Sequence, residues 1–184
     1  MGHIRLGTLP ATKRWRDVIA MLEGGGNVAE VAASATLAAE GGLKLAANDP
    51  LVLFSLSLLT EIPLAARGPE FVGDLRALGL DIPDAPSLID LTSALSRAID
   101  AKALALGERT DLGEIGQMAA IESVNRLVGA ALPSLFGPTA EDVRHAVAGL
   151  ASGKGFALLA RCFFAQLTER TLNFYLSRAL PDHI

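Results

Sequence analysis

Apolar residues recur along this chain with the spacing of helices rather than of strands. β-branched residues are scattered, and no segment alternates apolar and polar side chains over more than a few positions, as a half-buried strand would. Apolar positions three and four residues apart run through most of the sequence instead, as the buried face of a helix requires. The pattern predicts an all-α fold in which residues 1–184 form a single-domain bundle of about seven or eight helices.

Local start and stop signals divide the chain into these helices. Asp49 followed by Pro50 predicts a helix start, because a proline at the first helical position sacrifices no hydrogen bond. Two further starts carry the capping-box pattern of a Ser or Thr three residues before an acid, at Ser87 with Asp90 and at Thr139 with Asp142. The predicted helices cover about 11–22, Asn27 to a break or bend at 41–42, 51 to a bend or end at Pro63, 70–78, 88–104, 111–131, 140–150, and a long final helix after Gly155.

The clearest irregular connection lies at residues 80–86, where prolines and aspartates interrupt the helical periodicity. If the single domain divides into subdomains, we expect the hinge in this segment. The helix that begins at residue 51 is apolar nearly all round between residues 51 and 59, which predicts a position in the middle of the bundle.

The final helix is expected to be the long carboxy-terminal element that packs centrally, against the helices at 51–59 and 111–131. One face of this helix aligns four apolar side chains that we predict to be buried: Phe156, Phe163, Leu167 and Phe174. A second apolar row, with charges among it, lies almost opposite and forms a candidate subunit interface: Leu158, Arg161, Ala165, Glu169, Leu172 and Leu176. The alternative for this second row is a helix buried on both sides.

Composition favours a partner. The chain is 51% hydrophobic and 20% charged, with a mean hydropathy of +0.39, which exceeds what a small self-contained protein needs. The abundance of alanine is the alternative explanation, since alanine raises the index without creating adhesive surface. One cysteine, Cys162, excludes an intramolecular disulfide and is typical of the reducing cytoplasm.

Charge and segment length disfavour two classes of partner. A net charge of −4 provides no general field for nucleic acid. The basic residues around Trp15 are interpreted as a solvated helix face, with polyanion contact as the alternative: Arg5, Lys13, Arg14 and Arg16. The longest uncharged apolar stretch, Pro50–Thr60, is shorter than the about 20 residues of a spanning helix, so no membrane span is predicted.

No residue pattern points to chemistry. The three histidines lie far apart, and His145 has only Glu141 at the spacing of a helical metal pair. Cys162 has no evident base, and Gly153-Lys154-Gly155 lacks the strand that precedes a phosphate loop. We therefore predict no catalytic residue, no metal site and no cofactor.

Three functions are consistent with the sequence. The first is a non-enzymatic cytoplasmic interaction module, acting as an adaptor or as a subunit of a larger assembly or homo-oligomer. The second is a bundle that binds a small apolar or amphipathic ligand, in a pocket that we expect to be lined by Phe54, Phe156, Phe163 and Phe174. The third is an enzyme with carboxylates from separate helices, which would need an apolar pocket to raise one carboxyl pKa.

Overall fold

Helices account for most of the chain. The structure, a computed structural model, describes residues 2–4, 13–133 and 137–179. Within these ranges lie eight helices: α1 (Lys13–Glu23), α2 (Val28–Ala46), α3 (Pro50–Ala65), α4 (Phe71–Ala77), α5 (Leu88–Leu106), α6 (Asp111–Ala131), α7 (Ala140–Gly149) and α8 (Gly153–Ala179). The predicted all-α bundle with a long carboxy-terminal helix is confirmed.

One short strand pair was not predicted. Strand β1 (Gly2–Ile4) pairs in parallel with β2 (Glu108–Thr110), with Gly2 opposite Glu108 and Ile4 opposite Thr110. Three residues per strand are too few to show a period-two pattern, which explains why the sequence gives no strand signal here.

The helix starts follow the predicted caps. The Asn27 side chain accepts a hydrogen bond from the backbone N–H of Ala29 at 2.9 Å, and both predicted capping boxes are present, at Ser87 and at Thr139. Helix α2 continues through Gly41 and Gly42 to Ala46, and α3 continues through Pro63 to Ala65, so neither helix ends at the position where an end or a bend was predicted. Burial of Ile62 and Pro63 in the core favours the continuation of α3.

The capping boxes lower the pKa of their acidic members. The Thr139 hydroxyl donates to the Asp142 carboxylate at 2.6 Å, and the Thr139 backbone N–H donates to it at 2.8 Å. Hydrogen bonds to the ionised form favour it, so the pKa of Asp142 lies below its ordinary 3.8. Ser87 lowers the pKa of Asp90 in the same way.

Thr139→Val should therefore raise the pKa of Asp142 towards its ordinary value, without restoring it fully because the backbone N–H bond remains. The folded pKa is the lower one, so the stabilisation is complete above the unfolded value and is lost as pH falls through the folded value. The pKa of Asp142 is measured in the wild type and in the variant from its carboxyl carbon chemical shift, followed by NMR between pH 2 and 6. Thr36→Val is the control, since the Thr36 hydroxyl donates to the carbonyl of Ala32 instead of to an acid. An unchanged Asp142 titration in Thr139→Val would contradict the assignment.

Helix α6 lies at the centre of the bundle and packs against α3, α5, α7 and α8. It crosses α3 closely at Gly113, where an added Cβ would lie 2.6 Å from Leu51 Cδ1. The starts of the two helices are joined by a buried carboxylate. Asp49 accepts from the backbone N–H of Leu51 at 2.9 Å to cap α3, and its second oxygen accepts from the Thr110 hydroxyl at 2.6 Å at the cap of α6.

The buried side of α8 differs from the predicted stripe. The residues with little exposure fall at every fourth position: Leu159, Phe163, Leu167, Thr171 and Tyr175. A step of four residues advances about 40° around a helix, so this row winds around α8. The row winds because different neighbours cover the two parts of α8. Helix α6 and the main core cover its earlier residues, and the α1–α2 hairpin covers its carboxy-terminal part. Phe156, predicted to be buried, is 44% exposed, and Phe174 is half-buried.

The α1–α2 hairpin has its own small cluster of buried residues, namely Trp15, Val18, Ala35, Ala38 and Tyr175. The Trp15 and Tyr175 rings lie 5.6 Å apart between centroids. Burial raises the pKa of Tyr175. Of the predicted basic group around Trp15, Arg14 pairs with Glu40 at 3.0 Å, and Arg5 lies outside the described residues.

The connection at residues 80–86 is packed and hydrogen-bonded. Leu80 and Ile82 are buried, and the Arg76 guanidinium donates to the carbonyl of Ile82 at 2.8 Å. Arg97 donates to the carbonyl of Asp81 at 2.7 Å. These contacts attach the segment to α4 and α5, and the hinge stays a prediction.

Among the described residues, no single helix combines the length and apolar composition needed to cross a membrane. Within the same ranges, one pair of helices meets both requirements when the two are taken together: Ala140–Gly149 and Gly153–Tyr175, bent by 90° at their junction.

Candidate functional site

A half-open apolar groove of about 480 Å³ lies between the end of α2, the start of α3 and the middle of α8. We call it the α2–α3–α8 groove, and it is lined by Leu43, Ala46, Ala47, Val52, Leu53, Leu56, Phe164, Leu167 and Thr168. The two alanines at the end of α2 leave room that larger side chains would fill. Leu53 and Phe164 remain 49% and 48% exposed at its mouth.

The groove has almost no hydrogen-bonding capacity of its own. Its one polar side chain is Thr168, whose hydroxyl donates to the carbonyl of Phe164 at 2.8 Å. That bond uses the only hydroxyl proton, so no side-chain donor is left to orient a polar ligand. The groove therefore suits apolar groups.

Helices α3 and α8 run antiparallel along the groove. Val52, Leu53 and Leu56 share it with Phe164, Leu167 and Thr168, whereas the later residues Leu59, Ile62 and Pro63 share a much smaller gap with the earlier residue Leu159. Packing between α3 and α8 is not extensive, and α6 instead contacts both. Of the two predicted neighbours of α8, α6 packs against it extensively, and α3 meets it only in part, because the two helices flank the groove beside the start of α3.

Helix α3 packs against α4, α5, α6 and α7, as its predicted central position requires, but it is not buried all round. Seven of its residues are buried, but Leu53 at the groove and Leu64 near the end of the helix are exposed. An apolar residue at nearly every position predicts burial all round, and it is equally typical of a helix with one side open to a partner.

The predicted interface residues on α8 face different surroundings. Leu158, Arg161, Ala165 and Glu169 are exposed, and Leu158 retains 47% of its accessible area. Leu172 is half-buried against the small cluster of the α1–α2 hairpin, and the side chain of Leu176 lies outside the described part of the structure. The row is thus open in its first half and covered at Leu172, and its role as an interface stays a prediction.

A shallower depression of about 320 Å³ lies where α2 crosses α8. Glu169 and Leu172 line it together with Leu22, Val28 and Val31. Two of the predicted interface residues therefore belong to this second surface rather than to the groove.

The four phenylalanines predicted to line a pocket do not line the groove. Phe163 is completely buried in the main core, and Phe54 is half-buried with the Lys102 ammonium 5.5 Å from its ring centroid. Phe174 contacts the Tyr175 ring edge-on, with centroids 5.7 Å apart, and Phe156 faces solvent. Phe164, the neighbour of a predicted residue, takes the position at the groove.

A polar cavity of about 250 Å³ lies near the start of α7 and includes Arg144, Glu141 and Asp84 among its lining residues. Arg144 pairs with Glu141 through two hydrogen bonds and donates to the carbonyl of Ala66 at 3.0 Å. The guanidinium lowers the pKa of Glu141, and the carboxylate raises the pKa of Arg144. Arg144 thereby joins α7 to the end of α3, and Asp84 is paired with Arg76 of α4 at 2.8 Å.

The candidate catalytic and metal-binding residues do not come together in the fold. His145 is exposed, with Nδ1 3.0 Å from the Glu141 carboxylate, and Cys162 is half-buried on α8. In the ranges that the structure describes, no three His, Cys, Asp or Glu side chains gather as a metal site would require. At the start of α8, the Ser152 hydroxyl already accepts from the backbone N–H of Gly155 at 3.0 Å.

The sequence contains only weak signs of the groove residues. Phe164 lies to one side of the predicted stripe, and the apolar pattern of α3 predicts that its leucines belong to the core. Proximity of Leu53 to Phe164 is a tertiary property, and the all-round apolar pattern of α3 was the only available sign.

Comparison of the chain with known protein families, with characterised proteins and with solved structures finds no match.

Proposed function

We propose that the protein is a non-enzymatic interaction module, an adaptor or subunit of a larger cytoplasmic assembly, and that it binds a partner protein through the α2–α3–α8 groove. The observation that supports this proposal is the groove itself, with Leu53 and Phe164 half exposed at its mouth. Apolar side chains clustered beside a concavity are typical of protein-binding sites. A partner that covers them removes apolar surface from water.

A groove between two helices suits a helical partner segment. Recognition of this kind places apolar side chains of one helix face, three or four residues apart, between the helices of the receptor. The antiparallel helices α3 and α8 provide such walls, and the alanines at the end of α2 provide depth.

Binding of a small apolar ligand is the second candidate. A volume of about 480 Å³ falls within the range of small-molecule pockets, about 300–1,000 Å³. Such pockets usually contain a few polar groups that fix the ligand, and the Thr168 hydroxyl is already engaged. This favours a hydrocarbon-like ligand in this alternative. The enzyme hypothesis gains no comparable observation.

Leu53→Glu and Phe164→Glu should each abolish partner binding, because each places a carboxylate in an apolar contact. Affinity capture from cells that express the protein, followed by quantitative mass spectrometry, should show the same partner reduced at least ten-fold in both variants, equivalent to about 1.4 kcal/mol. Circular dichroism establishes that the variants remain folded.

Ile89→Glu is the matched control. Ile89 is 75% exposed on α5 and does not line the groove. This variant should recover the partner at the wild-type level. Partners recovered equally by the two groove variants would contradict the proposal, and a hydrocarbon released from the purified protein in native mass spectrometry would favour the second candidate.

A further inference from the structure

We infer that the amino-terminal helices form a hinged arm that controls access to α8, an inference whose regulatory part rests on the proposed function. The arm consists of α1 and of α2 as far as Glu40, that is, residues 13–40. When docked, it covers the carboxy-terminal part of α8, and when released, it uncovers apolar side chains next to the groove. Three observations support the arm: its small buried cluster, a glycine pair at its base, and two apolar openings beside its crossing of α8.

The arm is held on α8 by a small apolar cluster. The described residues of the arm include only four buried side chains, namely Trp15, Val18, Ala35 and Ala38. Tyr175 of α8 completes the cluster. Two of the four are alanines, each of which buries little apolar area. Arg14 joins the two helices of the arm to each other, because it donates to the carbonyl of Leu37 at 3.2 Å and to the Glu40 carboxylate at 3.0 Å. The arm is therefore a unit with a limited contact to the core.

A pair of glycines, Gly41 and Gly42, lies between the two parts of α2. Ala38, before the pair, is buried in the small cluster, and Ala46, after the pair, is buried in the main core. Glycine is the poorest helix former after proline, and glycine pairs are sites where helices bend. Beyond the pair, the Asp49 cap attaches the chain to the start of α3. The glycines thus allow the arm to leave while the end of α2 stays on the core.

The docked arm separates two apolar openings on α8. The groove includes Thr168, and the depression of about 320 Å³ includes Leu172, about one helical turn further along. The α2 residues that line the groove follow the glycine pair, whereas those that line the depression precede it: Val28, Val31, Ala32 and Ala35. Release of the arm therefore leaves the walls of the groove in place and joins the two openings into one surface.

The docked arm consequently limits the length of a partner helix in the groove. A helix extended along α8 towards the carboxy terminus meets α2 at the crossing, where Leu172 is half-buried against the small cluster. With the arm released, the same helix gains contacts with Leu172 and Tyr175. The arm and the partner compete for one surface, so release of the arm strengthens binding of the partner.

The single tryptophan of the chain, Trp15, reports whether the arm is docked. In urea, its fluorescence should change at lower concentration than the main loss of helical circular dichroism, which follows the core. Val18→Ala should shift the fluorescence transition by about 1 M to lower urea and leave the main dichroism transition in place. Val128→Ala is the matched control, at an equally buried valine in the main core, and should shift only the dichroism transition. Coincident transitions in the wild type would reject the arm.

Hydrogen exchange followed by NMR locates the hinge. A released pair of short helices has too little buried surface to stay folded, so its amides exchange when the arm opens. Amides of residues 32–38 should exchange about ten-fold faster than those of residues 44–46, although both groups belong to α2. Equal protection on the two sides of Gly41 and Gly42 would contradict a hinge at the glycines.

Trp15→Ala tests the regulatory part, because it removes the largest contact of the arm and leaves α8 unchanged. The partner whose capture requires Leu53 and Phe164 should be recovered about three-fold more, and adding Leu53→Glu should abolish the gain. The main dichroism transition should persist, which establishes that the core is folded. Unchanged or reduced recovery would reject the arm as a regulator. Capture that does not depend on Leu53 and Phe164 would reject the proposed function, whereas separate urea transitions would still support the arm.

Discussion

Phe163→Ala is expected to lower the free energy of unfolding by about 3–5 kcal/mol, the range for an aromatic side chain removed from a packed core. Phe163 is completely buried between α8 and the rest of the main core. Its removal leaves a cavity that neighbours on separate helices cannot close without moving the helices. Urea denaturation followed by circular dichroism measures the change, with the slope of the transition checked for two-state behaviour.

The next residue provides the control for this prediction. Phe164 is the same residue type on the same helix, but it is 48% exposed at the groove, with its ring 5.3 Å from that of Phe163 between centroids. Phe164→Ala should cost about 1 kcal/mol, mainly from this ring contact. The two variants should therefore differ in what they impair. Phe163→Ala should lower chiefly the stability of the fold, and Phe164→Ala should lower chiefly the capture of the partner. Equal losses of stability would mean that the groove is not open in solution.

Gly155→Ala should destabilise the protein by about 2–3 kcal/mol, because the junction of α7 and α8 has no room for a side chain. An added Cβ would overlap the carbonyl oxygen of Gly149 and lie 2.8 Å from Leu150 Cα. These are backbone atoms, which cannot rotate away as a flexible side chain can. Thermal and urea denaturation should both show the loss.

Gly153→Ala is the matched substitution at the same junction. Apart from its chain neighbours and the backbone of its own helix, no atom of the described residues lies within 4 Å of a Cβ built at Gly153. The usual helical advantage of alanine over glycine should therefore stabilise the protein by about 0.5 kcal/mol. If both alanines destabilised the protein alike, close packing at Gly155 would not be the cause.

Features determined by near neighbours in the chain could be predicted from the sequence. The starts of α3, α5 and α7 depend on Asp49, Ser87 and Thr139, whose side chains bond backbone N–H groups two or three residues later. Such contacts form within one helical turn. The sequence therefore contained the physical cause of these boundaries in full.

The buried sides of α8 and α3 could not be predicted in the same way. Apolar residues occur on every side of α8, so periodicity alone gave no reason to prefer Leu159 over Phe156. Thr171, a polar residue, is buried because its hydroxyl donates to the carbonyl of Leu167 at 2.7 Å. The positions of α6 and of the α1–α2 hairpin determine which side of α8 is buried. No local sequence pattern specifies those positions.

The groove depends on an even longer-range property. Leu53 and Phe164 line the same groove only because α3 and α8 are placed antiparallel, and the small residues Ala46 and Ala47 at the end of α2 complete its lining. Volume left unfilled between three helices is a result of the whole packing arrangement. The sequence therefore predicts the apolar character of the candidate site, but it does not predict which residues line it.

The contact between Trp15 and Tyr175 also has a consequence for synthesis on the ribosome. The α1–α2 hairpin emerges early, but the residue that completes its small cluster belongs to the last helix. Contacts between distant parts of a chain form late, and a domain made from its amino terminus must wait for them. During translation the apolar side of this hairpin thus stays open until α8 is made, and a nascent chain stalled before residue 175 would present Trp15 to chaperones rather than to its own core.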